Sequence, residues 1–116
     1  MSTILKVPEE PVEIRVALRA LLEAQGGRAK YVIFAGNRLA KYLWDHWKDD
    51  LHKMNLRWQN LLKSLSRHAG EAIEWIMGER SWSDFIEVII ADLEAQSTGR
   101  SIIKERRKKK TLMDFL

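Results

Sequence analysis

From Ser81 onward the chain carries Trp82, Phe85, Ile86, Ile89, Ile90 and Leu93 at uninterrupted i, i+3, i+4 spacing. That period suits a helix with one buried stripe, not a strand, whose side chains change face every second residue. Ser81, with Asp84 three positions on, supplies an N-cap, and Thr98 with Gly99 marks the expected stop. A helix this apolar on one side has to bury that side against other elements, so the remaining sequence is constrained to supply them.

The remaining sequence supplies more helices. Leu39, Leu43, Trp47, Leu51 and Met54 line one face of a long segment, and Trp58, Leu61, Leu62, Leu65 and Ala69 line a face of the next, with Asn55 between them placed to cap. Gly70 and Gly78 bracket a short apolar segment holding Ile73, Trp75, Ile76 and Met77. Near the start, Pro8 and Pro11 flank Glu9 and Glu10, and a helix is expected from about Pro11 with Ile14, Ala17, Leu18, Leu21, Leu22 and Gln25 in register until Gly26 and Gly27. The stretch 29–35 reads as a short buried helix, because a lone strand would have no ladder partner. The fold class is therefore all-α: a compact bundle of four to five helices over residues 11–97, preceded by an extension at 1–10 and followed by a disordered basic tail at 98–116.

Charge divides the chain unevenly. Residues 28–67 carry nine basic and three acidic side chains, whereas 71–99 carry Arg80 alone against seven acids; the tail from Arg100 holds seven basic and two acidic. The body is thus dipolar, and the net +4 comes from the tail. One surface suits a polyanion, and the other suits a basic partner or none. Zero cysteines exclude disulfides and thiolate metal sites, and they fit a reducing compartment. With no apolar leader and no run near the ~20 apolar residues that span a bilayer, a soluble, cytoplasmic or nucleoid-associated protein is expected, nuclear if the cell has a nucleus.

Aromatic residues concentrate in the basic segment, which holds Tyr31, Phe34, Tyr42, Trp44, Trp47 and Trp58. Lysines and arginines track phosphates while rings stack on bases, so the pattern fits nucleic acid, single-stranded by preference. On a helical wheel Trp47 points into the core face and Trp44 lies at its edge, flanked by Lys41 and Lys48; these form the first candidate strip, with Arg38, Tyr42 and Arg57 beside it and Arg106, Arg107 and Lys108 of the tail as further phosphate contacts. The competing reading puts the tryptophans in the core, with lysine stems laid on the rings. His46, Asp49, Asp50 and His52 do not make a metal site, because only His46 and Asp50 share a face; no cofactor is implied. No P-loop, G-x-S-x-G, H-E-x-x-H or two-metal carboxylate cluster occurs, so no enzyme activity is expected.

The last eight residues add a second theme. Leu112, Phe115 and Leu116 stand at i, i+3, i+4 behind Lys109 and beside Met113, so one helical turn would gather the three on one face, a plug for an apolar socket. This segment resembles the PIP box, the peptide with which replication and repair proteins dock on the sliding clamp PCNA: Gln, two residues, an aliphatic, two residues, then two aromatics. Leu112 takes the aliphatic position, and Phe115 with Leu116 the terminal pair; Lys109 stands where the family prefers Gln, and Leu116 where it prefers a second aromatic. Thr111, Asp114, the upstream basic run and the position at the chain's end agree with the family; the two departures imply weaker docking. The resemblance covers about eight residues and implies PCNA as partner; DNA is the further partner expected from the basic aromatic segment, and a replication or repair enzyme a third. A small cysteine-free body with such a peptide would suit an archaeon. Two other expectations are an adaptor that brings a polymerase, nuclease or helicase to the clamp through its acidic helices, and a helix-turn-helix regulator around Arg28 to Tyr42, which lacks a wing or dimer zipper.

Overall fold

The computed structural model describes residues 5–25 and 38–114, with the side chains of residues 25 and 99–114 outside that description. Among the described residues there are five helices and no strand: α1 Val12–Gln25, α2 Arg38–Lys53, α3 Trp58–Arg67, α4 Ala69–Ile76 and α5 Trp82–Asp114. The all-α bundle expected from the periodicity is the observed architecture. In α2, α3 and α5 the stripe that the spacing defines is the one turned into the core. Leu39, Leu43, Trp47 and Leu51 of α2, Leu61 and Leu65 of α3, and Trp82, Phe85, Ile86, Ile89 and Leu93 of α5 are all within the core. At about 1.5–3 kcal/mol for each large side chain removed from water, α5 is the main apolar contributor.

Local chemistry sets the joints. Ser81 caps α5, its Oγ accepting from the Asp84 amide at 3.1 Å. Gly78, at φ +84°, closes α4 in the left-handed region where a Cβ is disfavoured. The α2–α3 turn is built differently from the expectation. Asn55 adopts φ 63° and turns the chain, and the capping acceptor is the Asn60 side chain, which takes a 2.8 Å hydrogen bond from the Arg57 amide. Asparagine tolerates that left-handed conformation better than most residues, so Asn55 serves the end of α2 and not the start of α3.

Three features differ from the sequence reading. Leu21 is 43% exposed although the wheel puts it on the apolar face of α1; Leu18 is buried, and Ile14 and Leu22 pack partly against the core. At the other end, helical backbone runs past Thr98 and Gly99 to Asp114. One interior glycine costs only about 1 kcal/mol against alanine, and residues 100–110 contain no proline and many good helix formers. The side chains of the basic tail expected to be disordered lie outside the described residues from residue 99 on. So does the expected short helix at 29–35, with Tyr31 and Phe34, and most of the alternative helix-turn-helix segment.

The third difference is at the N-terminus. Residues 5–10, set apart by sequence as an extension, lie along the body as an extended strap. Leu5 is 1% exposed. Trp47 Nε1 donates to the Lys6 carbonyl at 2.8 Å, Trp82 Nε1 to the Pro8 carbonyl at 2.7 Å, and Trp75 Nε1 to Glu10 Oε2 at 2.8 Å, while the Tyr42 hydroxyl donates to the Glu9 carbonyl. An extended segment without a sheet partner must satisfy its carbonyls elsewhere, and buried indoles must find acceptors. The two needs meet in one place.

Candidate nucleic-acid interface

Helix α2 carries most of the expected contact residues, and it divides them between two flanks. Leu39, Ala40, Leu43, Trp47 and Leu51 fix the core direction. On one side of it Lys41, Trp44, Lys48 and His52 follow one another at i, i+3, i+7 and i+11, with Trp44 half-buried and the other three exposed. On the opposite side stands Tyr42, whose ring lies 4.4 Å from that of His46 and edge-on to Trp82 at 6.4 Å. Burial, and then the charge of Glu9, push the Tyr42 hydroxyl above its ordinary pKa, keeping it a hydrogen-bond donor to the strap. Tyr42 therefore sits apart from the strip with which it was grouped.

The strip is joined by a residue of the next helix. Trp58, in the first turn of α3, meets Trp44 edge-to-face at 5.8 Å and 88°, and His52 meets Trp44 from another side at 5.4 Å and 79°. Trp44 and Trp58 are half-buried, packed against the rim of the core. Lys41 pairs with Asp45 at 3.6 Å across one helical turn, with side chains 76% and 53% exposed, a contact that water and salt screen to little value and that a phosphate can displace. Among the described residues Lys48 has no acidic partner within ion-pair distance, nor have the exposed Arg38 and Arg57. Arg106, Arg107, Lys108, Lys109, Leu112 and Met113 lie on the helical backbone of α5 beyond the described side chains, and Phe115 with Leu116 lies outside the described residues.

A second constellation was not anticipated from sequence. Ser64 of α3 is fully buried, and its hydroxyl donates to Asp92 of α5. Gln96 Nε2 donates to Ser64 Oγ at 2.6 Å, Asn60 Nδ2 donates to Gln96 Oε1 at 2.9 Å, and Arg67 donates to the other Asp92 oxygen at 2.6 Å. His68 stands between Glu71, at 3.2 Å, and Asp92, at 3.7 Å. Burial works to raise the Asp92 pKa, but hydrogen bonds from Ser64, Arg67 and Gln96 and the Arg67 charge outweigh it and hold the carboxyl below its ordinary value. Glu71 is lowered chiefly by its hydrogen bond with His68. The buried serine gives its proton to a carboxylate and not to an imidazole, and solvent cannot reach it, so the cluster fastens α3 to α5 and offers no nucleophile. The i, i+4 pairs Asn60 with Ser64 and Asp92 with Gln96 are the sequence trace of this hub.

The acids of α4 and α5 divide likewise. Glu71, Glu74 and Asp92 are used internally, Glu74 by Arg80 at 2.8 Å, whereas Asp84 and Glu87 are exposed on α5. Among the described residues no three His, Asp or Glu side chains converge to hold a metal ion, and no helix is long and apolar enough to cross a membrane. No protein-family model, curated protein or solved structure matches the chain.

Proposed function

We propose that this chain is a non-enzymatic accessory protein of DNA replication or repair, which docks on the sliding clamp PCNA through residues 109–116 and touches DNA with the aromatic, basic flank of α2. The observation that carries the docking is the spacing of Leu112, Phe115 and Leu116 after Thr111, with Asp114 before the phenylalanine and a dense basic run upstream. Three apolar side chains on one turn match a small apolar socket, and the basic run complements an acidic surface around it. Lys109 in place of Gln and Leu116 in place of an aromatic weaken the grip, so a second contact, on DNA encircled by the clamp, adds to it through effective concentration. The place of action is then chromosomal DNA: the nucleoid, or the nucleus where there is one.

Titrating PCNA with the intact chain and with a Phe115→Ala, Leu116→Ala variant tests the docking. The variant is expected to lose at least tenfold in affinity, since two apolar anchors of about 1.5 kcal/mol or more each are removed. Equal affinities refute it. The adaptor reading keeps one supporting observation, the exposed Asp84 and Glu87 on α5. It predicts an enzyme that stays bound after the tail is deleted and DNA is digested.

A further inference from the structure

The five tryptophans fall into two groups by what their indole N–H does. Trp47, Trp75 and Trp82 are at most 7% exposed, and each donates to the strap. Trp44 and Trp58 are half-buried and stand against each other where α2 meets α3, and among the described residues neither indole makes a hydrogen bond. A tryptophan placed only for packing uses its N–H once it is buried, as the first three do. The second pair keeps part of its ring surface accessible, its N–H groups have no acceptor among the described residues, and the exposed Lys41 and Lys48 stand one turn before and after Trp44 on α2.

We infer that this corner, Trp44 with Trp58 across two helices and not the one-helix strip alone, is a stacking site for unpaired bases, and that the ligand class is single-stranded nucleic acid. This inference rests on the reading of the body as a DNA contact and narrows it. A partly accessible indole stacks on a base only when that base is out of the duplex stack, because in a duplex the faces of the bases cover one another and only their edges line the grooves. The indole N–H groups suit acceptors that travel with such a base, a ring carbonyl or a phosphate oxygen, and Lys41 and Lys48 stand about two turns apart on α2 to follow the backbone. His52, edge-on to Trp44, closes one side of the corner.

The test uses the full chain with Arg100, Lys104, Arg106, Arg107 and Lys108 replaced by alanine, which leaves two basic and two acidic side chains in the tail, so that the tail does not mask the body. Binding of a fluorescent 12-nucleotide thymidine strand and of a 12-base-pair duplex is followed by anisotropy at low salt. The strand is expected to bind at least tenfold tighter than the duplex, and Trp58→Leu, which keeps an apolar side chain on the core rim, is expected to weaken strand binding about tenfold. Lys48→Gln, on the exposed surface, should reduce the slope of log K against log salt by about 0.7. Equal affinity for strand and duplex overturns the single-strand assignment while leaving a DNA-contacting body in place. No binding by the tail-neutralised chain overturns both, and neither result touches the clamp titration, which reads residues 109–116 alone. Should Trp58→Leu fail to fold, Trp58→Met, which fills the core rim without a ring, and the Lys48→Gln slope carry the same decision, and strand affinity unmoved by both overturns the inference.

Discussion

Replacing Asp92 by alanine is expected to loosen the joint between α3 and α5. The carboxylate is 10% exposed and accepts from Ser64, Arg67 and Gln96. Its removal leaves the buried Ser64 proton without an acceptor, which costs about 1–3 kcal/mol. The Arg67 arm, 46% exposed, adds only about 0.5 kcal/mol after solvent screening. Gln96 keeps Asn60 as a partner, so its loss is small. Alanine returns about 0.5 kcal/mol in helix propensity. The net is roughly 2 kcal/mol, or about 8–15 °C in Tm for a body of this size. Urea unfolding of wild type, Asp92→Ala, Ser64→Ala and the double variant isolates the pair, with an expected coupling of at least about 1 kcal/mol. Because the folded Asp92 carboxyl titrates below its unfolded value, as does Glu71, the stability they contribute is present above the ordinary carboxylate range near pH 4 and is lost as pH falls through the folded values. Wild type should therefore lose stability on acidification below about pH 4–5, and Asp92→Ala should lose less. A coupling energy under about 0.5 kcal/mol, together with parallel acid curves, would refute the account of Asp92 as the hub.

The glycines give a paired prediction. Gly70 lies in the first turn of α4, where a side-chain Cβ would meet nothing within 4 Å, so Gly70→Ala should raise stability by about 0.5–1 kcal/mol; Gly78 has equal room but φ +84°, so Gly78→Ala should lower it by about 1 kcal/mol, both read by urea midpoint. Opposite signs are required, and the same sign at both would show that space and not backbone conformation governs them. For the strap, Trp82→Phe should cost about 1–2 kcal/mol through the lost donor to Pro8 and the smaller ring, whereas Trp58→Phe, which loses no hydrogen bond to the described residues, should cost less than about 1 kcal/mol.

Helix positions were readable because each buries one stripe against a common core, and a stripe leaves a 3.6-residue period whatever its partner is. Leu39, Leu43, Trp47 and Leu51, or Phe85, Ile86, Ile89 and Leu93, state their own burial. The strap could not be read in that way. Its four anchoring bonds join residues 33 to 74 positions apart, from Tyr42 with Glu9 to Trp82 with Pro8, and three of them use backbone carbonyls, which every residue has. The polar hub was hidden for the opposite reason. Asn60, Ser64, Asp92 and Gln96 have the spacing of a helix face but the composition of a solvated one, and only the approach of α3 to α5 turns them inward.

The same distinction decides which aromatic residues are left for function. Sequence spacing ranks Trp47 as core and Trp44 as edge, but it cannot separate Trp58 from Trp75 and Trp82, since all three sit on apolar stripes. What separates them is the strap, which occupies the indole donors of Trp47, Trp75 and Trp82 and the hydroxyl of Tyr42 and so commits those rings to holding the fold together. The α2–α3 corner lies beyond its reach. Among the described residues each buried indole has an acceptor, the two half-buried at the α2–α3 junction have none, and Lys48 has no acidic partner, so the proposed contact falls where the strap's hydrogen bonds end. Neutralising Lys48 should accordingly change oligonucleotide affinity and leave the urea midpoint within about 0.5 kcal/mol of wild type.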